Sequence, residues 1–161
     1  MKKPEFKNPG QTVDVIIEMP DSRIVLIERK FPPKSLALPG GYVEYGEPLW
    51  DAAVREVQEE TSLRIELIEQ FYTYSDPMRV KGRHVITTVF LATGYGTPTA
   101  GDDALAVRLI DVNLMPQLAF DHNQIVDDYL IWKSEGLRPS PIASLRSTDK
   151  NSNRFRVALN S

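Results

Sequence analysis

The chain has no cysteine and only two histidines among its 161 residues. Disulfides and thiolate metal centres are thereby excluded, and a zinc centre built on histidine lacks ligands. No apolar run is long enough for a transmembrane helix, and residues 1–11, MKKPEFKNPGQ, carry lysines with no apolar stretch behind them. Neither a signal peptide nor a membrane anchor is expected, and the expected compartment is the cytoplasm. Positive charge is not in excess: 19 Lys and Arg stand against 22 Asp and Glu, a net charge of −3, with no basic run to serve as a nucleic-acid surface. No internal repeat is visible. What remains is an ordinary globular composition, 42% hydrophobic and 25% charged, of a length that fits one domain with a single core.

The pattern of apolar residues divides the chain into short strands and two helices. Thr12–Met19 and Arg23–Lys30 are β-rich runs separated by Pro20-Asp21-Ser22, which predicts a strand pair with a short turn. A loop at Phe31–Lys34 and a short strand at Leu36–Leu38 lead into a tight Pro39-Gly40-Gly41 turn. A helix is expected from about Pro48 to Thr61, with Pro48 suited to a first turn that needs no N–H from it. Trp50, Ala53, Val54 and Val57 recur at helical spacing and read as its core face. Strands are expected within Leu63–Tyr74, His84–Tyr95 and Ala104–Val112. A second helix is expected from Asp121, as cap, to about Ser134, ended by Gly136, with Ile125, Tyr129 and Trp132 along one side. Residues 1–137 then form one domain and residues 138–161 a tail, in which Arg154–Leu159 is a candidate short strand. Strands divided by a helix and closed by another indicate an α/β fold with mixed strands.

The first helix carries charge that core packing does not explain. Glu56, Glu59 and Glu60 stand three and four residues apart, so three carboxylates crowd one patch near the C-terminal end, where the helix dipole disfavours them. Such pairs repel by about 0.2–0.5 kcal/mol each on an exposed helix. A hard divalent cation such as Mg²⁺, which takes carboxylate oxygens, relieves that repulsion. A run of acidic residues is more often solvated surface, and taken alone EVQEE decides nothing.

The surrounding residues do decide. Gly41, Glu47, Arg55-Glu56, Val57, Glu59-Glu60 and Leu63 stand at the spacing of the signature of the Nudix hydrolases, which the stretch resembles. One position departs, with Ser62 where the family has glycine. A residue there closes the last helical turn in a left-handed conformation, which serine adopts at a cost of about 1 kcal/mol. The resemblance covers about residues 12–135. It implies an α/β/α sandwich with a mixed sheet and a catalytic loop–helix–loop, and hydrolysis of a nucleoside diphosphate linked to another group. It implies that Gly41, Glu56, Glu59 and Glu60 hold Mg²⁺, with Mn²⁺ as the alternative ion. Arg55 is implied to hold the carboxylates, with Glu47 as its partner, and Asp103, beside Asp102 in a glycine-containing loop, is implied as general base.

Segments outside the signature are similar to the ADP-ribose pyrophosphatase branch: Arg29-Lys30 with Pro32-Pro33, Tyr74-Ser75-Asp76-Pro77-Met78-Arg79, Gly101-Asp102-Asp103-Ala104 and Leu118-Ala119-Phe120-Asp121-His122. Pro77 is the residue that the branch associates with ADP-ribose. Val80 stands where the branch has an acid. Arg29, Arg79 and Arg83 are the candidate phosphate-binding cations, because guanidinium grips phosphate with two N–H groups. Phe31, Phe71 and Tyr72 are candidate stacking surfaces for adenine. His122 reads as structural or as a pocket wall. The expected activity is Mg²⁺-dependent cleavage of ADP-ribose to AMP and ribose 5-phosphate. A triphosphate or other nucleotide-sugar hydrolase, and an ADP-ribose-sensing module without turnover, are the alternatives. The expected partner is a small-molecule nucleotide, with neither nucleic acid nor membrane, and since many relatives are dimers the resemblance makes a homodimer a candidate assembly.

Overall fold

The computed structural model describes residues 7–101 and 104–139, together with the backbone of residues 154–156. The chain divides into two compact units, the first ending at Phe120 and the second beginning at Asp121. In the first unit β1 (Gly10–Glu18), β2 (Ile24–Arg29), β3 (Leu36–Ala37), β4 (Gly40–Tyr42), β5 (Arg64–Tyr74), β6 (Val85–Tyr95) and β7 (Ala104–Ile110) form one mixed sheet. Its main path runs β3-β2-β1-β6-β5, with β4 added to β1 and β7 to β2. Helix α1 (Leu49–Thr61) crosses from β4 to β5. The second unit holds α2 (His122–Glu135), β8 (Leu137–Pro139) and β9 (Arg154–Arg156), and β8 pairs antiparallel with β9. The expected strand at Arg154–Leu159 is therefore present as β9 over Arg154–Arg156, and its last residues lie outside the described residues.

β1 is the central strand because it is apolar on both faces. Val13, Val15, Ile16 and Ile17 are all buried, as a strand with neighbours on every side requires. It runs parallel to β6 from Gly10↔Val85 to Glu18↔Thr93. The expected β1–β2 hairpin is only partly formed, with Glu18↔Ile24 as its ladder pair. The same edge of β1 is taken further along by β4, through Thr12↔Tyr42, Val13↔Gly41 and Asp14↔Gly40. β2 instead makes its long pairing with β7, Ile24↔Ile110 to Arg29↔Ala104. The Pro39–Gly41 turn thus lies directly on the central strand, which no local pattern of the first two strands reveals.

α1 packs through Ala52, Ala53 and Val57, with Leu49 beside them, against Val13, Val15 and Ile17 of β1 and Phe90 and Ala92 of β6. The expected core face is corrected at two positions, since Trp50 is 59% and Val54 43% exposed. The true stripe is Leu49, Ala52, Ala53 and Val57, and it continues into Glu60, which is buried. Small alanines let the helix approach the sheet, and a tryptophan on that face does not fit. The carboxylates therefore border the core instead of lying opposite it. The helix begins after Pro48, whose carbonyl accepts from the Ala52 N–H at 3.0 Å. It ends at Ser62 with φ 56° and ψ 12°, the left-handed cap expected of a glycine. The next loop caps the same end: Thr99 N–H donates to the Thr61 carbonyl at 2.9 Å and Gly101 N–H to the Glu60 carbonyl at 3.1 Å. A Cβ on Gly101 would lie 1.8 Å from the Glu59 carbonyl oxygen.

In the second unit α2 runs one residue later than expected, and Gly136 closes it with φ 69°. Asp121 precedes it without a side-chain capping hydrogen bond, contrary to its expected role. Ile125, Val126 and Tyr129 are buried. No helix among the described residues is long and apolar enough to cross a membrane.

Two substitutions at the α1 exit have opposite effects. Ser62→Gly raises the unfolding free energy by about 1 kcal/mol, by removing a strained left-handed side chain. Gly101→Ala lowers it by about 2 kcal/mol, because its methyl meets backbone that cannot yield. Urea unfolding of the two variants checks both, and equal midpoints would show that the exit is not strained.

Candidate active site

The site is built where the Pro39–Gly41 turn, laid on β1, meets the inner margin of α1. Gly40 N–H donates to Glu60 Oε2 at 2.9 Å. Gly40 has φ 153°, and a Cβ there would lie 2.2 Å from the Val13 carbonyl oxygen and 2.8 Å from Asp14 Oδ1. A Cβ on Gly41 would lie 2.5 Å from the carboxyl atoms of Glu56. Two successive glycines are needed because the backbone itself is the surface against which Glu56 and Glu60 rest.

Arg55 ties the outer members of this group together. Its Nε and Nη2 donate to the two Glu47 oxygens at 2.8 and 2.9 Å, a two-pronged pair. Nη2 also donates to the Tyr42 carbonyl at 3.0 Å, and Nη1 to Glu56 Oε1 at 2.8 Å. Glu59 Oε2 is 3.5 Å from Nη1 and Glu59 is half-exposed. The hydrogen bonds from Arg55 and from the Glu44 N–H hold the Glu47 carboxyl well below the usual range, at about 2. The same pairing raises the Arg55 guanidinium above its ordinary value. Arg55 thus bridges the loop before α1, the end of β4 at Tyr42, and the helix.

Glu60 is the opposite case. Burial pushes its carboxyl up to about 8, and the negative charges of Glu56 and Asp14 add to the effect. The Gly40 N–H and Arg29 oppose it without cancelling it. Asp14 is the residue that sequence reasoning missed. It is buried on β1 and accepts from the Thr87 hydroxyl at 2.7 Å, which accepts from the Thr12 hydroxyl at 2.8 Å. Its signal was present in the sequence, as a single acid inside the apolar run Val13-Asp14-Val15-Ile16-Ile17. Tyr42 was missed as well. Its carbonyl serves Arg55, and its hydroxyl accepts from Arg83 Nη1 at 3.1 Å.

The structure brings Gly41, Arg55, Glu56, Glu59 and Glu60 together, and ties Arg83 to them through Tyr42. Arg29, at the end of β2, lies in the field of Glu60, Asp14 and Arg83, and burial lowers its pKa. Pro77 and Arg79 sit in a separate turn between β5 and β6, closed by Arg79 N–H to the Asp76 carbonyl at 3.0 Å. Asp102 and Asp103 lie outside the described residues. Among the candidate stacking residues Phe71 is buried in the core, Phe31 is exposed, and Tyr72 packs edge-on against Tyr74 at 5.0 Å. His122 is buried at the start of α2. Among the described residues no three acidic or histidine side chains converge as a ready-made metal cage. As they stand, Glu56 is turned to Arg55 and Glu60 to the Gly40 N–H.

Comparison with known proteins assigns this arrangement to a class. The NUDIX domain model matches residues 8–129, and the chain belongs to the NUDIX family. It is 44% identical over 132 residues to the ADP-ribose pyrophosphatase of Methanocaldococcus jannaschii, covering 80% of this chain and 78% of that one. Among solved structures it is similar to a bifunctional NMN adenylyltransferase/ADP ribose pyrophosphatase from Francisella tularensis complexed with AMP and a Mn ion. That likeness has a TM-score of 0.70 and 26% identity, over 81% of this chain and 43% of that one. It is also similar to the NUDIX domain of Shewanella oneidensis NrtR complexed with ADP ribose, with a TM-score of 0.66 and 27% identity, over 76% and 86% of the two chains.

Burial of Glu60 has a consequence for stability. An acid whose pKa rises from 4.5 to about 8 on folding favours the fold fully below pH about 4.5. That contribution is lost as the pH rises through 8. In EDTA the melting temperature therefore falls between pH 5 and 8.5, and Glu60→Gln flattens that limb. An unchanged slope in the variant would assign the dependence to other groups.

Proposed function

We propose that the chain is a divalent-cation-dependent hydrolase that cleaves ADP-ribose to AMP and ribose 5-phosphate. The observation that carries this reading is the acidic group on α1, with Glu56 and Glu60 pressed against a two-glycine turn, Glu59 beside them, and Arg29 and Arg83 nearby. The substrate follows from the 44% identical ADP-ribose pyrophosphatase and from the ADP-ribose-related structural neighbours.

The donor set fits a hard divalent cation. It is all oxygen, and the mutual repulsion of Glu56, Asp14 and Glu60 is what a cation would reverse. Glu56, Glu59 and Glu60, with the Gly41 carbonyl, are the groups that would hold it, and we take Mg²⁺ as the ion, with Mn²⁺ the alternative. When bound it supplies positive charge for the diphosphate oxygens and the attacking water. The chain's own residues do the rest. Arg55, locked by Glu47, fixes the direction of Glu56. Gly40 N–H orients Glu60. Arg29 and Arg83 neutralise the substrate's phosphates, and Arg79 and Pro77 contribute to substrate binding from their own turn between β5 and β6. Asp103 takes a proton from the water that attacks phosphorus, and the bridging P–O bond breaks to leave two phosphomonoesters. We take residues 1–137 as the catalytic domain and the cytoplasm as its compartment, with a homodimer as the assembly.

A second reading is a domain that binds ADP-ribose without cleaving it. The likeness to the NrtR domain bound to ADP ribose favours it, and the complete acidic set of α1 weighs against it.

Incubation with ADP-ribose, NADH, diadenosine polyphosphates, sugar nucleotides and 8-oxo-dGTP, with Mg²⁺ or with EDTA, tests the proposal. Adding phosphatase to release new monoester phosphate reports cleavage. ADP-ribose is the expected preferred substrate, and EDTA abolishes turnover. Glu56→Gln lowers kcat by orders of magnitude, and Glu47→Gln lowers activity about ten- to a hundredfold through Arg55. Preference for another compound would discard the substrate, and binding without cleavage would favour the second reading.

A further inference from the structure

Phe120 adopts φ 54°, a left-handed conformation that a bulky aromatic residue takes only when its surroundings hold it there. The surroundings here are specific. Ala119 N–H donates to the Leu36 carbonyl at 2.8 Å, and Leu118 bridges to Leu36, so the segment is fastened to β3 up to the residue before the strained one. The Phe120 side chain packs against Ile27, Ala37, Ala104 and Ala119. The guanidinium of Arg29 lies over its ring, 4.8 Å from the centroid. Arg29 Nε also donates to the Pro33 carbonyl at 3.2 Å. A long, rotamer-rich side chain is thus held by an aromatic face and by a hydrogen bond. Its charge interacts with those of Glu60, Asp14 and Arg83.

A relaxed backbone at residue 120 would aim the ring elsewhere, and the packing of the cluster alone does not require an aromatic residue. Leucine fills apolar space of that kind, but it offers no π-face to a cation. The strained position and the stacked cation together point to a functional constraint on the segment before α2.

We propose that Phe120 is a positioning residue for Arg29: it holds the guanidinium within the field of the Glu60 and Asp14 carboxyls, where it sets affinity for the diphosphate of a nucleoside diphosphate sugar. This rests on the hydrolase reading for the identity of the ligand. Phe120 touches no reacting atom and acts through Arg29 alone.

The test measures two quantities for the whole chain: the Kd for ADP-ribose in EDTA by calorimetry, and kcat and KM with Mg²⁺. The proteins are wild type, Phe120→Leu, Phe120→Tyr, Arg29→Ala and the Arg29→Ala/Phe120→Leu double variant. Phe120→Leu weakens binding and raises KM about three- to tenfold. Its kcat and melting temperature stay near wild type. Phe120→Tyr, which keeps the ring face, restores affinity. Arg29→Ala weakens binding at least as much, and in its background Phe120→Leu adds nothing further. Three results would overturn the proposal: unchanged affinity in Phe120→Leu, additive losses in the double variant, or a fall in kcat with Kd unchanged. The last would make Arg29 a counter-charge for Glu60 only. Wild type that binds ADP-ribose without cleaving it removes the hydrolase reading and leaves Phe120 its role. Wild type that binds neither ADP-ribose nor pyrophosphate, with Mg²⁺ or with EDTA, removes the role itself.

Discussion

The hydrogen bond from Gly40 N–H to the buried Glu60 carboxyl is the constraint on which the rest of the site depends. It joins a turn on the central strand to the C-terminal half of α1, two elements twenty residues apart in the chain. Neither partner reaches the other unless the backbone at Gly40 lies against Val13 and Asp14, where any Cβ would collide. The sheet is arranged to permit that contact. β4 occupies the part of β1 that a simple hairpin would use, and β2 is diverted to β7.

Electrostatics and packing pull in different directions at this junction. The core stripe of α1 draws Glu60 inward with Ala53 and Val57, and desolvation then disfavours its charge. Nearby Asp14 and Glu56 increase the repulsion. Arg55 offsets part of it from outside, where it binds Glu47, Glu56 and the Tyr42 carbonyl together. The helix end is held by Ser62 and by the amides of Thr99 and Gly101, so the carboxylates keep their places despite the repulsion. Such a group is poorly arranged for stability by itself, and under the proposed function a bound cation would relieve its repulsion.

How much of this was legible differs from element to element. Both helices were, because their signals are local: Pro48 at one start, Gly136 past one end, and apolar residues at helical spacing. The long strands β5 and β6 were as well. The β1–β2 pair and its turn were legible too, but not how short their ladder is, since adjacency in sequence says nothing about competition from β4. Helical spacing alone admits Trp50 and Val54 to the core face, because a spacing of three and four residues fits two overlapping stripes. Only the closeness of the sheet, which admits alanine and not tryptophan, selects between them. For Phe71, a candidate stacking surface for which core or surface packing was the other reading, burial decides for the core.

The sequence by itself determined which groups are available and at what spacing: three glutamates and an arginine on one helix, a glutamate before it, two glycines ahead of both. Helical geometry is periodic, so that spacing is enough to put the carboxylates on one patch. Tertiary structure decided what those groups experience. Whether Glu60 is buried, whether Asp14 adds its charge, whether Tyr42 links Arg55 to Arg83, and whether Phe120 is bent to carry Arg29 all depend on strands distant in the chain. Burial and charge coupling are properties of neighbours in space, and these neighbours are set by strand order, which no local pattern encodes.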